Sequence, residues 1–112
     1  GTVNATRIAN RNVDSLPNQE GFLRFFIDFE GVPNGTEPIQ ADVKAVGDMP
    51  MNFSVVQANP HLSQGWRLVI TLKPQLEQCE KPLVLLANLI AGGKPVSETW
   101  VYPVSADLCR HD

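Results

Sequence analysis

Apolar side chains return at every second position in several stretches of the chain, the period of a strand that turns one face to a core and the other to water. Residues 22–30 show it most plainly. Leu23, Phe25, Ile27 and Phe29 fall on one face, Arg24, Asp28 and Glu30 alternate with them, and Phe26 interrupts the polar side. Residues 66–73 repeat the pattern, with Trp66, Leu68, Ile70 and Leu72 on one side and Arg67, Thr71 and Lys73 on the other. Weaker alternations at 40–47 and 51–58 predict two shorter strands, bracketed by the turn-forming runs Pro33-Asn34-Gly35 and Gly47-Asp48-Met49-Pro50. Residues 82–90 are almost continuously apolar, as in a strand covered on both faces or central in its sheet. Gly92-Gly93 then supplies the positive φ angles of a tight hairpin, and residues 95–102 form the returning strand.

An opening strand at 3–9 brings the total to about seven at the close spacing of a sandwich, and no helical period lasts three turns. The predicted fold is therefore all-β, an immunoglobulin-like β-sandwich of about seven mostly antiparallel strands. Residues 1–20 are expected to be linker and opening edge strand and residues 21–112 the sandwich body. The full 112 residues suit a single domain with one hydrophobic core.

Composition narrows the function. With 43% hydrophobic and 19% charged residues the chain is too apolar for a disordered tail. Its formal charge of -3, with no basic run, offers a nucleic acid little attraction. The apolar stretch at 82–91 is interrupted by Asn88 and is about half the ~20 residues that a membrane-spanning helix needs. The chain opens at Gly1 without a methionine or a secretory leader, as expected of a processed or excised segment. Cys79 and Cys109 fit one disulfide or two free thiols, a choice that geometry decides.

Catalytic constellations are not legible. A nucleophile–base pair needs a histidine beside a serine or cysteine, yet His61 sits in a Pro-flanked turn and His111 at the chain end. Cys109 and His111 lack the second pair that a zinc site requires. Glycoside hydrolysis needs two facing carboxylates, one held protonated by burial. Only Glu98 shares a strand face with apolar residues (Val96, Trp100 and Tyr102), and a bond to Arg67 or to a backbone amide accounts for it more simply. No catalytic, cofactor-binding or metal-ligating residue is assigned. Trp66 and Trp100 are the candidate carbohydrate contacts, since indole faces stack on sugar rings, although both share parity with aliphatic neighbours and suit a core equally. Three triplets, at Asn4, Asn34 and Asn52, would accept N-glycans in a eukaryotic secretory pathway.

Three runs together resemble a known family. Arg24-Phe25-Phe26-Ile27-Asp28-Phe29-Glu30-Gly31, then Val55-Val56-Gln57-Ala58-Asn59-Pro60 leading into Gly65-Trp66-Arg67-Leu68, and finally Lys94-Pro95-Val96-Ser97-Glu98-Thr99-Trp100-Val101-Tyr102 are similar, in order and spacing, to landmarks of the C-terminal domain of the osmoregulated periplasmic glucan biosynthesis proteins G and D. Ala5-Thr6-Arg7-Ile8 resembles the segment leading into that domain, and Ser97-Glu98-Thr99-Trp100 is the most specific of the matches. The resemblance implies a small immunoglobulin-like domain that follows a large N-terminal sandwich carrying the glucan cleft. It also implies periplasmic residence and action on β-1,2-linked glucans. Because the acidic catalytic residues of the glucanase members lie in the large domain, no catalytic role carries over to any residue here, and this chain alone is not expected to be an enzyme. The chain departs from the pattern in the 76–80 loop and the Cys109 tail, which leaves open an excised fragment or a stand-alone relative.

The expected function is thus a non-catalytic accessory domain in periplasmic glucan biosynthesis or processing. Its expected partners are the N-terminal sandwich or other glucan machinery, and possible ligands are β-glucans. The alternatives are a carbohydrate-binding module and a secreted adhesion-type immunoglobulin-like domain. An oxidising periplasm, implied by the same resemblance, favours a Cys79–Cys109 disulfide.

Overall fold

The computed structural model describes residues 1–9, 23–33, 35, 37–47, 51–73 and 82–104. Its strands are β1 (Thr2–Ala9), β2 (Leu23–Glu30), β3 (Ile39–Val46), β4 (Met51–Ala58), β5 (Trp66–Lys73), β6 (Leu83–Ala91), β7 (Lys94–Pro95) and β8 (Trp100–Val104). They form two antiparallel sheets. Sheet A runs β1-β2-β5-β4, and sheet B sets β3 on one side of β6 with β7 and β8 on the other. That is the strand order of a constant-type immunoglobulin sandwich.

Period-two sequence becomes period-two burial. Leu23, Phe25, Ile27 and Phe29 of β2 lie opposite Leu72, Ile70, Leu68 and Trp66 of β5, and all but Trp66 are fully enclosed. From sheet B, Leu83, Leu85, Ala87 and Leu89 meet them with Trp100 and Val104, in one core cluster. Each large side chain moved from water into such a core stabilises the fold by roughly 1.5–3 kcal/mol. The opening strand lies at an edge of sheet A as expected, while residues 10–22 fall outside the described residues.

The count is eight rather than about seven because the returning strand is broken in two. Ile90 pairs with Pro95, but Ala87 pairs with Trp100, so two extra residues are accommodated between the pairings. The cause is a side chain that substitutes for backbone. Val96 N–H donates to Leu89 O at 2.9 Å, but Leu89 N–H is taken by the Ser97 hydroxyl at 2.8 Å. Ser97 passes the bond on to Glu98 O at 2.9 Å. Gly92 and Gly93 turn the hairpin with φ of 58° and 78°, the left-handed pair that a two-residue turn demands.

Candidate functional site

The residues that carry the family resemblance assemble into two bonded networks. In the first, Asp28 on the outer face of β2 lies opposite Arg67 on β5. Arg67 Nε donates to Asp28 Oδ1 at 2.7 Å and its second guanidinium nitrogen to Oδ2 at 3.1 Å, a two-pronged pairing. Asn59, buried just past β4, adds a bond from Nδ2 to Asp28 Oδ1 at 3.1 Å. The Arg67 hydrogen bond holds the Asp28 carboxyl below the ordinary value of 3.8, against the opposing effect of its partial burial. The same pair raises Arg67, which stays charged.

Asn59 also organises the loop at 59–65. Its Oδ1 accepts from His61 N–H at 3.1 Å, its carbonyl from Leu62 N–H, and its own N–H bonds Gly65 O. Ser63 O and Gln64 O then accept from Gly31 and Val32, which ties this loop to the one leaving β2. His61 therefore enters through its backbone, with no serine or cysteine pairing among the described contacts.

The second network joins the first strand to the last. Glu98 accepts from Val3 N–H through Oε2, and Glu98 N–H donates to Gly1 O at 2.8 Å. Gly1 in turn donates to Val96 O at 3.1 Å, and Trp100 Nε1 donates to Thr6 Oγ1 at 3.1 Å. Glu98 is exposed rather than partly buried, because the break after β7 removes it from the inward face, and its partner is a backbone amide rather than Arg67. Ser97-Glu98-Thr99-Trp100 is thus a clasp that holds β1 against sheet B.

Trp100 is 5% exposed, with its ring edge-on to Phe25 at 5.8 Å and stacked on Tyr102 at 5.6 Å. Trp66 lies on the other sheet and is half-buried, lining a shallow depression of about 250 Å³ with Asn59, Pro60, Leu62 and Gln64. Cys79, Cys109 and the proposed disulfide lie outside the described residues. Among the described residues no three metal-ligating side chains gather. Two further described carboxylates bond protein groups: Glu30 accepts from Asn4 at 3.0 Å, and Asp42 pairs with Lys44 at 3.4 Å.

Sequence reasoning missed the outer face of sheet B. The cross-strand rows Val46–Val84–Pro103 and Lys44–Leu86–Val101 place apolar side chains side by side on it. Val46 is 65% and Val101 54% exposed. The signal was present in the almost continuously apolar run of β6, interrupted by Asn88, which reads as a strand with two apolar faces.

The family model described as periplasmic glucan biosynthesis protein, MdoG, matches residues 1–104. A glucans biosynthesis protein G of Serratia proteamaculans is 34% identical over 92 residues, covering 79% of this chain and 17% of its own length. The protein of the same name from Pseudomonas aeruginosa is 32% identical over 99 residues, covering 82% of this chain and 18% of the relative. The chain thus spans less than a fifth of the relatives it matches. No solved structure matches it.

Proposed function

From the premise that this chain belongs to the MdoG family of periplasmic glucan biosynthesis proteins, we propose that it is a non-catalytic accessory module of a periplasmic protein that makes or processes β-1,2-linked glucans. Its role is to pack, through the outer face of sheet B, on the remainder of such a polypeptide. The observation that carries this reading is the exposed apolar pair Val46 and Val101, set in continuous rows with Val84, Leu86 and Pro103. Contiguous apolar surface of this kind marks a contact with another protein surface. About five-sixths of the relatives' length lies outside the matched segment and can supply that contact. The reading is supported further by the acids named above, which are spent on structural bonds and do not face one another across a cleft.

A second reading rests on Trp66, whose half-buried ring opens onto a depression that also presents Asn59 and Gln64. A sugar ring could rest there while the module remains non-catalytic. One experiment separates the readings: incubation of the chain with linear β-1,2-glucan, followed by mass analysis of the products and by tryptophan fluorescence. No released oligosaccharide and no fluorescence change support the docking module. A change abolished by Trp66→Ala supports the sugar contact. Released oligosaccharides would place chemistry in this domain and defeat both.

A further inference from the structure

Gln64, in the loop before β5, has a φ of 51°, and among the described residues it alone has a positive φ without being glycine. An L side chain in that left-handed region crowds its own backbone, a strain from which glycine is free. The loop around it fixes the conformation. Ser63 O and Gln64 O accept from Gly31 N–H at 3.0 Å and Val32 N–H at 3.1 Å, and Gly65 O accepts from Asn59 N–H at 2.8 Å. Gly65 is buried, and a Cβ there would sit 2.5 Å from the Leu62 Cβ and 2.6 Å from Asn59 O. Glycine thus stands where space demands it, at 65, and a long polar side chain stands where strain favours glycine, at 64.

Among the described residues neither the Gln64 side-chain amide nor the Trp66 indole N–H is hydrogen-bonded, and both residues line the depression beside Pro60 and Leu62. Asn59, which also lines it, is committed elsewhere, with Nδ2 on Asp28 and Oδ1 on His61 N–H. The side-chain groups left to a ligand are therefore one amide, which donates and accepts, and one indole donor. No ionisable side chain lines the depression, so it suits an uncharged ligand. At about 250 Å³ it is smaller than the ~300–1,000 Å³ of sites for drug-sized molecules and has room for one ring.

On the reading that a sugar rests beside Trp66, we infer that Gln64 is the residue that selects it: the depression takes one uncharged pyranose unit, whose hydroxyls bond the Gln64 amide while an apolar ring face packs on Trp66. An aliphatic side chain of another protein fits by size. It would cover the amide and the indole N–H without pairing either, and each polar group buried unpaired weakens binding. A ring bearing several hydroxyls pairs both. The strain at 64 then has a use, because a loop that already holds the residue at the depression loses little freedom when the ligand arrives.

Titration of the purified chain with the β-1,2-linked disaccharide of glucose, followed by NMR at the Trp66 indole N–H, tests this. The expected dissociation constant is about 1–10 mM, as suits a single ring, and a third glucose unit changes it by less than about threefold. Gln64→Gly, relieved of strain, is expected to melt at the same temperature or higher and yet to bind at least about tenfold more weakly. A purely structural residue would not move the two readouts in opposite directions. Undiminished binding in Gln64→Gly, or weakened binding together with a lower melting temperature, overturns the inference and leaves the sugar contact at Trp66 standing. A third unit that tightens binding tenfold or more, by about the worth of a second contact, overturns the single-ring site. Cyclohexanol that binds as tightly as the disaccharide marks a seat for an apolar side chain and defeats inference and sugar reading together, as does a Trp66 signal that stays unmoved up to about 50 mM disaccharide.

Discussion

The indole Nε1–H of Trp100 bonds the hydroxyl of Thr6 at 3.1 Å, across a separation of 94 positions. The bond couples an edge strand of sheet A to the last strand of sheet B, so the two sheets are joined by a polar contact as well as by their shared core. Removing the acceptor with Thr6→Val is expected to cost about 1 kcal/mol, the usual worth of one hydrogen bond. Trp100→Ala also loses the contacts with Phe25 and Tyr102 and is expected to cost about 3–5 kcal/mol. Urea unfolding followed by circular dichroism measures both, and equal losses would mean that the bond, not the packing, dominates.

The Asp28–Arg67 pair makes stability depend on acid. Because the folded carboxyl titrates below its unfolded value, its contribution is complete above about pH 5 and is lost as the pH falls through the folded value. Asp28→Asn is expected to be less stable than the unmodified chain at about pH 6, and the two urea midpoints should converge towards about pH 2.5. A gap that stays constant over that range would show that the pairing contributes no pH-dependent stability.

The backbone at Gly47 leaves no room for a side chain. Its φ is +113°, and a Cβ there would sit 2.6 Å from Pro82 O, a backbone atom that cannot swing aside. Gly47→Ala is expected to lose about 2 kcal/mol or more. Gly93→Asn is expected to be close to neutral, since its site is open and asparagine tolerates a positive φ. Thermal melts of the two variants check the ranking.

Strands, their inward faces and the glycine hairpin were legible because each depends on a local rule, such as the two-residue period of β2 or the turn at Gly92-Gly93. What escaped depends on position within the whole. Trp66 and Trp100 share inward parity, yet one lies half-covered beside a surface depression and the other is enclosed between Phe25 and Tyr102. In β4 the parity that faces the core elsewhere in sheet A carries Ser54 and Ala58, both exposed, and the outer parity carries Phe53 and Val55. Ser97 replacing a backbone acceptor is likewise a tertiary choice that no spacing announces. The motif at 97–100 was legible as a run of residues, but its service as a clasp on β1 required the partners at Gly1, Val3 and Thr6 to be seen.

Docking through sheet B is tested most directly by single cysteines and a maleimide. Val101→Cys lies on the apolar face, on β8 beside Leu86, and Lys94→Cys on the exposed hairpin. Labelling rates are measured first in the chain alone and then in a full-length family protein that carries this segment. The expected result is that Val101→Cys reacts at least about tenfold more slowly in the longer protein, as burial in an interface requires, while Lys94→Cys is unchanged. Equal rates for Val101→Cys in the two settings would contradict the proposed role of this face.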